Sequence, residues 1–235
     1  MGKRDERRRQ KALMRKRQKD KLRKKKSQSL FLSSSPLSTK ARILQARKYP
    51  IYECLINSGW EEHGLADILL SRKQPDGKMV LGRYLVDRYC LGLKRTYCEA
   101  NLLPSEYEEI KARWISKYES EKDVVECPVP LVHEIIYGAI DYASGLGFKP
   151  DKGFELSKYI LDPEDKHPRT GEVEFGHEGK PLYISGPYDD VSSIMRQLEE
   201  KVGRGNFDFL IRLEKGELTS LSPLDLENLE IEEED

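Results

Sequence analysis

"ADILLSRKQPDGKMVLGRYLVD" (66–87) decides how the middle of this chain is read. Two runs of strand-forming residues, 66–73 and 78–87, flank the loop "QPDGK". In that loop Pro75 presets φ, the Asp76 carboxylate can accept from the backbone ahead, and Gly77 supplies a positive φ, so the chain turns. The runs are therefore predicted as the arms of a hairpin. Upstream, "YPIYECLIN" (49–57) has the same character and ends at Ser58-Gly59. A three-stranded antiparallel sheet is expected, followed by helices.

Downstream of the hairpin, "VDRYCLGLKRTYC" (86–98) holds an acid, a lysine and two cysteines. Continued as a strand from Lys78, it places Asp87 and Cys90 on opposite faces. Read as a helix beginning near Asp87, it aligns Asp87, Cys90, Lys94 and Cys98, and Lys94 could then activate a thiol. The competing reading makes both thiols small buried hydrophobes under the lysine stem. A nucleophilic cysteine also wants a histidine base, and no motif ties His63 to this stretch. Asp87, Cys90 and Lys94 are the candidate catalytic group, and the core reading is preferred.

A helical region follows. Ser105 and Glu108 have the spacing of a capping box behind Pro104, and Tyr107, Ile110, Trp114 and Tyr118 form one stripe. "VPLVHEIIYGAIDYASGLG" (129–147) puts Val132, Ile135, Ile136, Ala139, Ile140 and Ala143 on one helical face. His133, Glu134, Tyr137 and Asp141 take the other, which is expected to be solvated. Glu134 and Asp141, seven apart, could meet a divalent cation, but no HExxH or second acidic cluster completes a site. His167 and His177 near Glu172 and Glu174 are too loosely spaced for ligation, so neither metal nor cofactor is expected. "VGRGN" (202–206) lacks the lysine of a phosphate loop. Residues 172–186 read as a short hairpin. Asp189 or Asp190 caps a helix running to Gly203, and 206–214 reads as a last strand. The class is α+β, with a second small hairpin-plus-helix unit after the sheet and helices. The body spans 39–213, divisible near 125/126.

Charge separates the ends from this body. Residues 1–26 carry fifteen Lys/Arg against three acids, about +12, while 214–235 carry nine acids against Lys215, about −8. The formal net charge of the whole chain is zero, which leaves the body mildly acidic at about −4. The basic arm has too few apolar residues to bury a face and is expected to be disordered, joined by a Ser-rich linker (27–38). Such an arm gains affinity for polyphosphates by counterion release, without a fold. Arg7, Arg8, Arg9, Arg15, Lys16, Arg17, Arg23, Lys24, Lys25 and Lys26 are the candidate nucleic-acid contacts, within a segment 3–26 that would bind RNA or DNA nonspecifically. No aromatics interleave it, so base stacking is not expected from the arm. The acidic tail or the body could take a protein partner.

Four widely spaced cysteines with no CxxC argue against a disulfide framework or zinc site and for a reducing, cytoplasmic setting. No apolar run approaches the ~18 residues of a membrane span, and no h-region follows the charged start.

Three blocks, "YECLIN…GRYLVDRYCLGLK", "IIYGAIDYASGLGFKP" and "GKPLYISGPYDD", resemble an uncharacterised family of bacterial cytosolic proteins. The resemblance covers about residues 49–203 and implies no activity, cofactor or site residue. It implies a bacterial cytosolic setting, in which the arm contacts RNA or DNA. The expected function is that of an accessory binding protein docking on a nucleic-acid-containing assembly. The alternatives are an enzyme using the 87–98 segment or the Glu134/Asp141 face, and a protein-interaction module.

Overall fold

Alternating apolar side chains build a five-stranded antiparallel sheet in the computed structural model, which describes residues 38–118, 120, 123–212 and 218–219. A short helix α1 (Thr39–Leu44) leads into β1 (Ile51–Asn57), a one-turn α2 (Trp60–His63), β2 (Leu65–Lys73), β3 (Met79–Asp87) and β4 (Gly92–Leu102). Helix α3 (Pro104–Ile115) and the three-residue β5 (Val124–Glu126) complete the layer, in the order β4-β3-β2-β1-β5. The β2–β3 turn forms as expected: Gln74 N–H donates to Lys78 O at 2.8 Å, and Asp76 Oδ1 accepts from Lys78 N–H at 3.2 Å. Gly77 takes φ +82°.

The sheet has five strands where three were expected. The 86–98 stretch is neither a continued strand nor a helix. β3 ends at Asp87, the chain turns through residues 88–91, and β4 returns beside β3 with Arg83 opposite Tyr97. Gly92 makes this reversal at φ +69°, and a Cβ there would lie 2.6 Å from Ala143 Cβ and 2.8 Å from Ala139 O. Only glycine fits both the dihedral and the close approach.

Helix α4 (Val129–Gly145) covers one face of the sheet. Its Val132, Ile135, Ile136 and Ala139 pack with Ile56, Ile68, Leu70, Tyr84 and Val86. On the opposite face, Tyr107 and Trp114 of α3 lie over Leu69, Met79 and Leu81. The sheet is thus buried on both sides, which explains why β2 is buried from Ala66 to Arg72, polar residues included. The expected capping box is displaced. Helix α3 starts at Pro104, and it is Glu106 that accepts from the Leu103 N–H, at 2.7 Å.

A one-turn helix α5 (Phe154–Ser157) leads to the second unit, which is not a hairpin. Strand β6 (Leu182–Ile184) pairs in parallel with β7 (Asp208–Arg212), and helix α6 (Val191–Val202) makes the crossover. A short β8 (Leu218–Thr219) adds to β7 antiparallel. Asp190 Oδ1 caps α6 by accepting from Ser193 N–H at 3.1 Å. Residues 172–181 hold only an isolated bridge, His177 with Lys180. Cys90, Leu91 and Leu146 join Tyr183, Leu198 and Phe209 in this unit's core. Gly176 and Leu182 donate backbone N–H bonds to Arg88 O and Tyr89 O. The 88–91 turn therefore ties the second core to the sheet. Among the described residues no helix is long and apolar enough to cross a membrane.

Candidate functional site

The structure places Asp87, Cys90 and Lys94 close in sequence but in separate employment. Asp87 Oδ1 accepts from the N–H groups of Tyr89 and Cys90, at 2.9 and 3.0 Å, and so shapes the turn. Burial raises its pKa, against the Lys94 charge and those backbone bonds. Cys90 is fully buried, and desolvation followed by the Asp87 charge pushes its thiol far above the ordinary range. Lys94 Nζ reaches away to Asp189 Oδ2 at 2.8 Å. A thiol so placed holds almost no thiolate at neutral pH.

The polar side of α4 is not solvated. His133, Glu134 and Tyr137 are buried, and Asp141 alone of the four is exposed, paired with Arg169 at 2.7 Å. Glu134 gathers the 170–173 loop: Oε2 accepts from Thr170 N–H and its hydroxyl, and Oε1 from Gly171 N–H at 2.7 Å. Desolvation raises its pKa, but these bonds outweigh it and the net shift is downward. The two carboxylates of the proposed cation face are thus already occupied by separate partners.

A closer grouping, which the spacing of residues did not suggest, is His133, Asp162 and His167, whose ligand atoms lie within 4.8 Å of one another. Its donors are engaged. Asp162 Oδ1 accepts from Arg72 at 2.7 Å, while Oδ2 faces Lys166 at 2.9 Å and His167 Nε2 at 3.0 Å. His133 Nε2 accepts from the Asp162 N–H at 3.2 Å. A divalent cation would sit against a guanidinium and an ammonium, so the residues do not fit one. The group is a lock that fastens the 158–167 segment to the core. His177, the other loosely grouped histidine, instead packs edge-on against Tyr89 at 5.1 Å.

The lock has an acid limit. Protonating His133 Nε2 would set two donors face to face, and burial followed by the His167 charge lowers its pKa from 6.5 to about 4. The folded state thus resists a proton that the unfolded chain accepts. His133 therefore contributes stability that is full above pH 6.5 and is lost as the pH falls from 6.5 to about 4, up to about 3 kcal/mol. Asp162, desolvated but held well below the usual carboxylate range by Lys166, His167 and Arg72, adds stability that is lost below pH ~4. Urea midpoints measured from pH 7 to 4 should fall in wild type, and His133→Gln should flatten that limb. An unchanged slope in the variant would assign the limb to other groups.

A second grouping lies on the sheet face beside α3. The Arg83 guanidinium grips Asp67, Nε to Oδ1 at 2.8 Å and Nη2 to Oδ2, and sits 5.9 Å from the Trp114 ring. Arg113 in the last turn of α3 and Lys117 just past its end line a cleft of about 290 Å³ with Arg83, Tyr97 and Trp114. Neither forms an ion pair among the described residues. Tyr97 is half exposed, and its hydroxyl donates a hydrogen bond to Glu99 Oε2. On the same strand face, Arg95 lies 5.7 Å from the Tyr188 ring, itself 84% exposed. Sequence reading missed this group, although the alternation Arg95-x-Tyr97-x-Glu99 and the pair Arg113/Lys117 at i, i+4 were visible signals.

The arm residues Arg7, Arg8, Arg9, Arg15, Lys16, Arg17, Arg23, Lys24, Lys25 and Lys26 lie outside the described residues, as does the acidic tail apart from β8. No protein-family model, curated protein or solved structure matches the chain.

Proposed function

We propose that the protein binds nucleic acid, with the basic arm supplying affinity and the α3 face of the sheet supplying a contact for unpaired bases. The observation that carries the body's part is the exposed Tyr97 ring set among Arg83, Arg95, Arg113 and Lys117. Arg83 is paired with Asp67, while Arg113 and Lys117 form no ion pair among the described residues, so this face offers two uncommitted cations on a body that is acidic as a whole. An open ring offers a π-face to any base, and cations flanking it in one cleft can hold a phosphate backbone. The arm lacks aromatics and the groove has them, so the two parts divide electrostatic and stacking work.

The test is fluorescence anisotropy with a short single-stranded oligonucleotide, RNA and DNA in parallel. Tyr97→Ala should weaken binding about 5- to 100-fold, the worth of one stacked base. Arg113→Gln with Lys117→Gln should reduce the log–log salt slope by about 1–2. Unchanged affinity and slope in both variants, with the arm intact, would remove the groove from the reading and leave the arm alone. Preference for RNA over DNA would assign a contact to the 2′-hydroxyl.

A further inference from the structure

We propose that Cys54 and Cys127 form a reversible disulfide, independent of the nucleic-acid reading. Strand β1 pairs antiparallel with β5 through Leu55 opposite Glu126, Ile56 opposite Val125 and Asn57 opposite Val124. The next rung sets Cys54 opposite Cys127, and Cys127 N–H donates to Cys54 O at 2.9 Å. Directly opposed residues point to the same face, and both thiols belong to the core beneath α4. A hydrogen-bonded antiparallel pair holds its Cα atoms about 5.5 Å apart, inside the ~4.4–6.8 Å range that a disulfide needs.

The rung is also the last one. Pro128 has no N–H to extend the ladder, and β5 is a three-residue edge strand. Beyond the rung a cleft of about 460 Å³ opens, bounded by Tyr52, Glu53, Glu126 and Pro128, with both cysteines in its wall. Ladder ends fray first, so the cleft end is where an oxidant gains access. In the closed state reaction is slow. Burial, then the charge of Cys127, pushes Cys54 up to about 12, and burial pushes Cys127 to about 11. Opening of this edge therefore controls the rate.

The oxidant is a low-molecular-weight disulfide. The Cys127 thiol loses its proton and attacks one sulfur, breaking that S–S bond and releasing one thiolate, which takes the proton. The Cys54 thiol, deprotonated in turn, attacks Cys127 Sγ and releases the second. Two cysteine thiols are oxidised, one disulfide is reduced to two thiols, and the 54–127 loop is closed. The product pins β5 and the start of α4 to β1.

The experiment incubates the native full-length chain with oxidised glutathione near pH 8, and maps peptides by non-reducing mass spectrometry. The expected product is a peptide pair joining Cys54 to Cys127, in at least tenfold excess over linkages to Cys90 or Cys98, and reversed by dithiothreitol. The oxidised protein should melt about 5–15 °C higher, since closing a long loop constrains the unfolded chain. Cys90→Ser and Cys98→Ser should form the link unchanged. Glutathione adducts on Cys54 or Cys127 without the intramolecular link, linkage to another cysteine, or a Cys54–Cys127 link appearing only in urea would each overturn the proposal.

Discussion

Arg72→Met should destabilise the body by about 3–5 kcal/mol, the usual cost of removing one partner from a buried charge network. Arg72 is 3% exposed and reaches three acceptors from different parts of the chain. Its Nε donates to Ile160 O at 2.6 Å, Nη1 to Tyr49 O at 2.8 Å and Nη2 to Asp162 Oδ1 at 2.7 Å. One guanidinium thus closes the entry to β1 and the 158–162 segment onto β2. Methionine fills much of the same volume, so the loss measured is chiefly that of charge and hydrogen bonds rather than of packing. Two buried carbonyls lose their donor, and Asp162 keeps only Lys166 and His167. The melting temperature should fall by roughly 6–20 °C. Asp162→Asn should cost less, because the amide oxygen can still accept from Arg72. The double variant should fall short of the sum of the two single effects, since both remove the same contact. A loss below 1 kcal/mol for Arg72→Met would mean that water or a neighbouring donor satisfies these acceptors.

At the β2–β3 turn and along α4 and α6, local chemistry decides the structure and the sequence expectation holds, whereas the cap of α3 sits two residues from the expected box. The Pro75-Asp76-Gly77 turn determines the β2–β3 hairpin through contacts within five residues. Helix α4 has a full apolar stripe, and α6 has both its Asp190 cap and its Gly203 stop. What escaped depends on partners far along the chain. β4 alternates faces, but its core side carries small Cys98 and Ala100, and register with β3 shifts near Leu85/Val86. A weak apolar signal broken by a register shift does not look like a strand. β6 pairs with β7 across a whole helix, and nothing local in "PLYISG" names a parallel partner. His133 and Glu134 look like a wet face because they are polar. Their partners, the Asp162 N–H and the 170–173 loop, lie about 30–40 residues on and permit burial that isolated polarity forbids. The Asp87–Cys90–Lys94 group was visible as a cluster in sequence, yet β-turn geometry spends the acid on the backbone and turns the lysine to Asp189.

Removing residues 1–35 should abolish most polyanion binding while leaving the cooperative melt of the body intact. The segment holds fifteen of the chain's 41 Lys/Arg, and its apolar side chains are few, so little burial energy is at stake. If the arm engages ~6 phosphates on a duplex, the log–log salt slope is near −5, and affinity falls about a thousandfold between 50 and 200 mM salt. The truncated chain should keep only the shallow slope of Arg113 and Lys117. The acidic end, "LENLEIEEED", should work against the arm: tethered to the same chain, it would offer a competing polyanion at high effective concentration. Each pair of exposed charges is worth little and is screened within ~8–10 Å, so many weak contacts decide the contest. Deleting Leu226–Asp235 should therefore tighten binding at low salt, and by less as salt rises. Titrations of full-length, arm-deleted and tail-deleted protein at several salt concentrations separate these effects. A large fall in melting temperature on arm removal would show that the arm packs on the body. Equal affinity with and without the tail at low salt would show that the acidic end serves another, basic, partner.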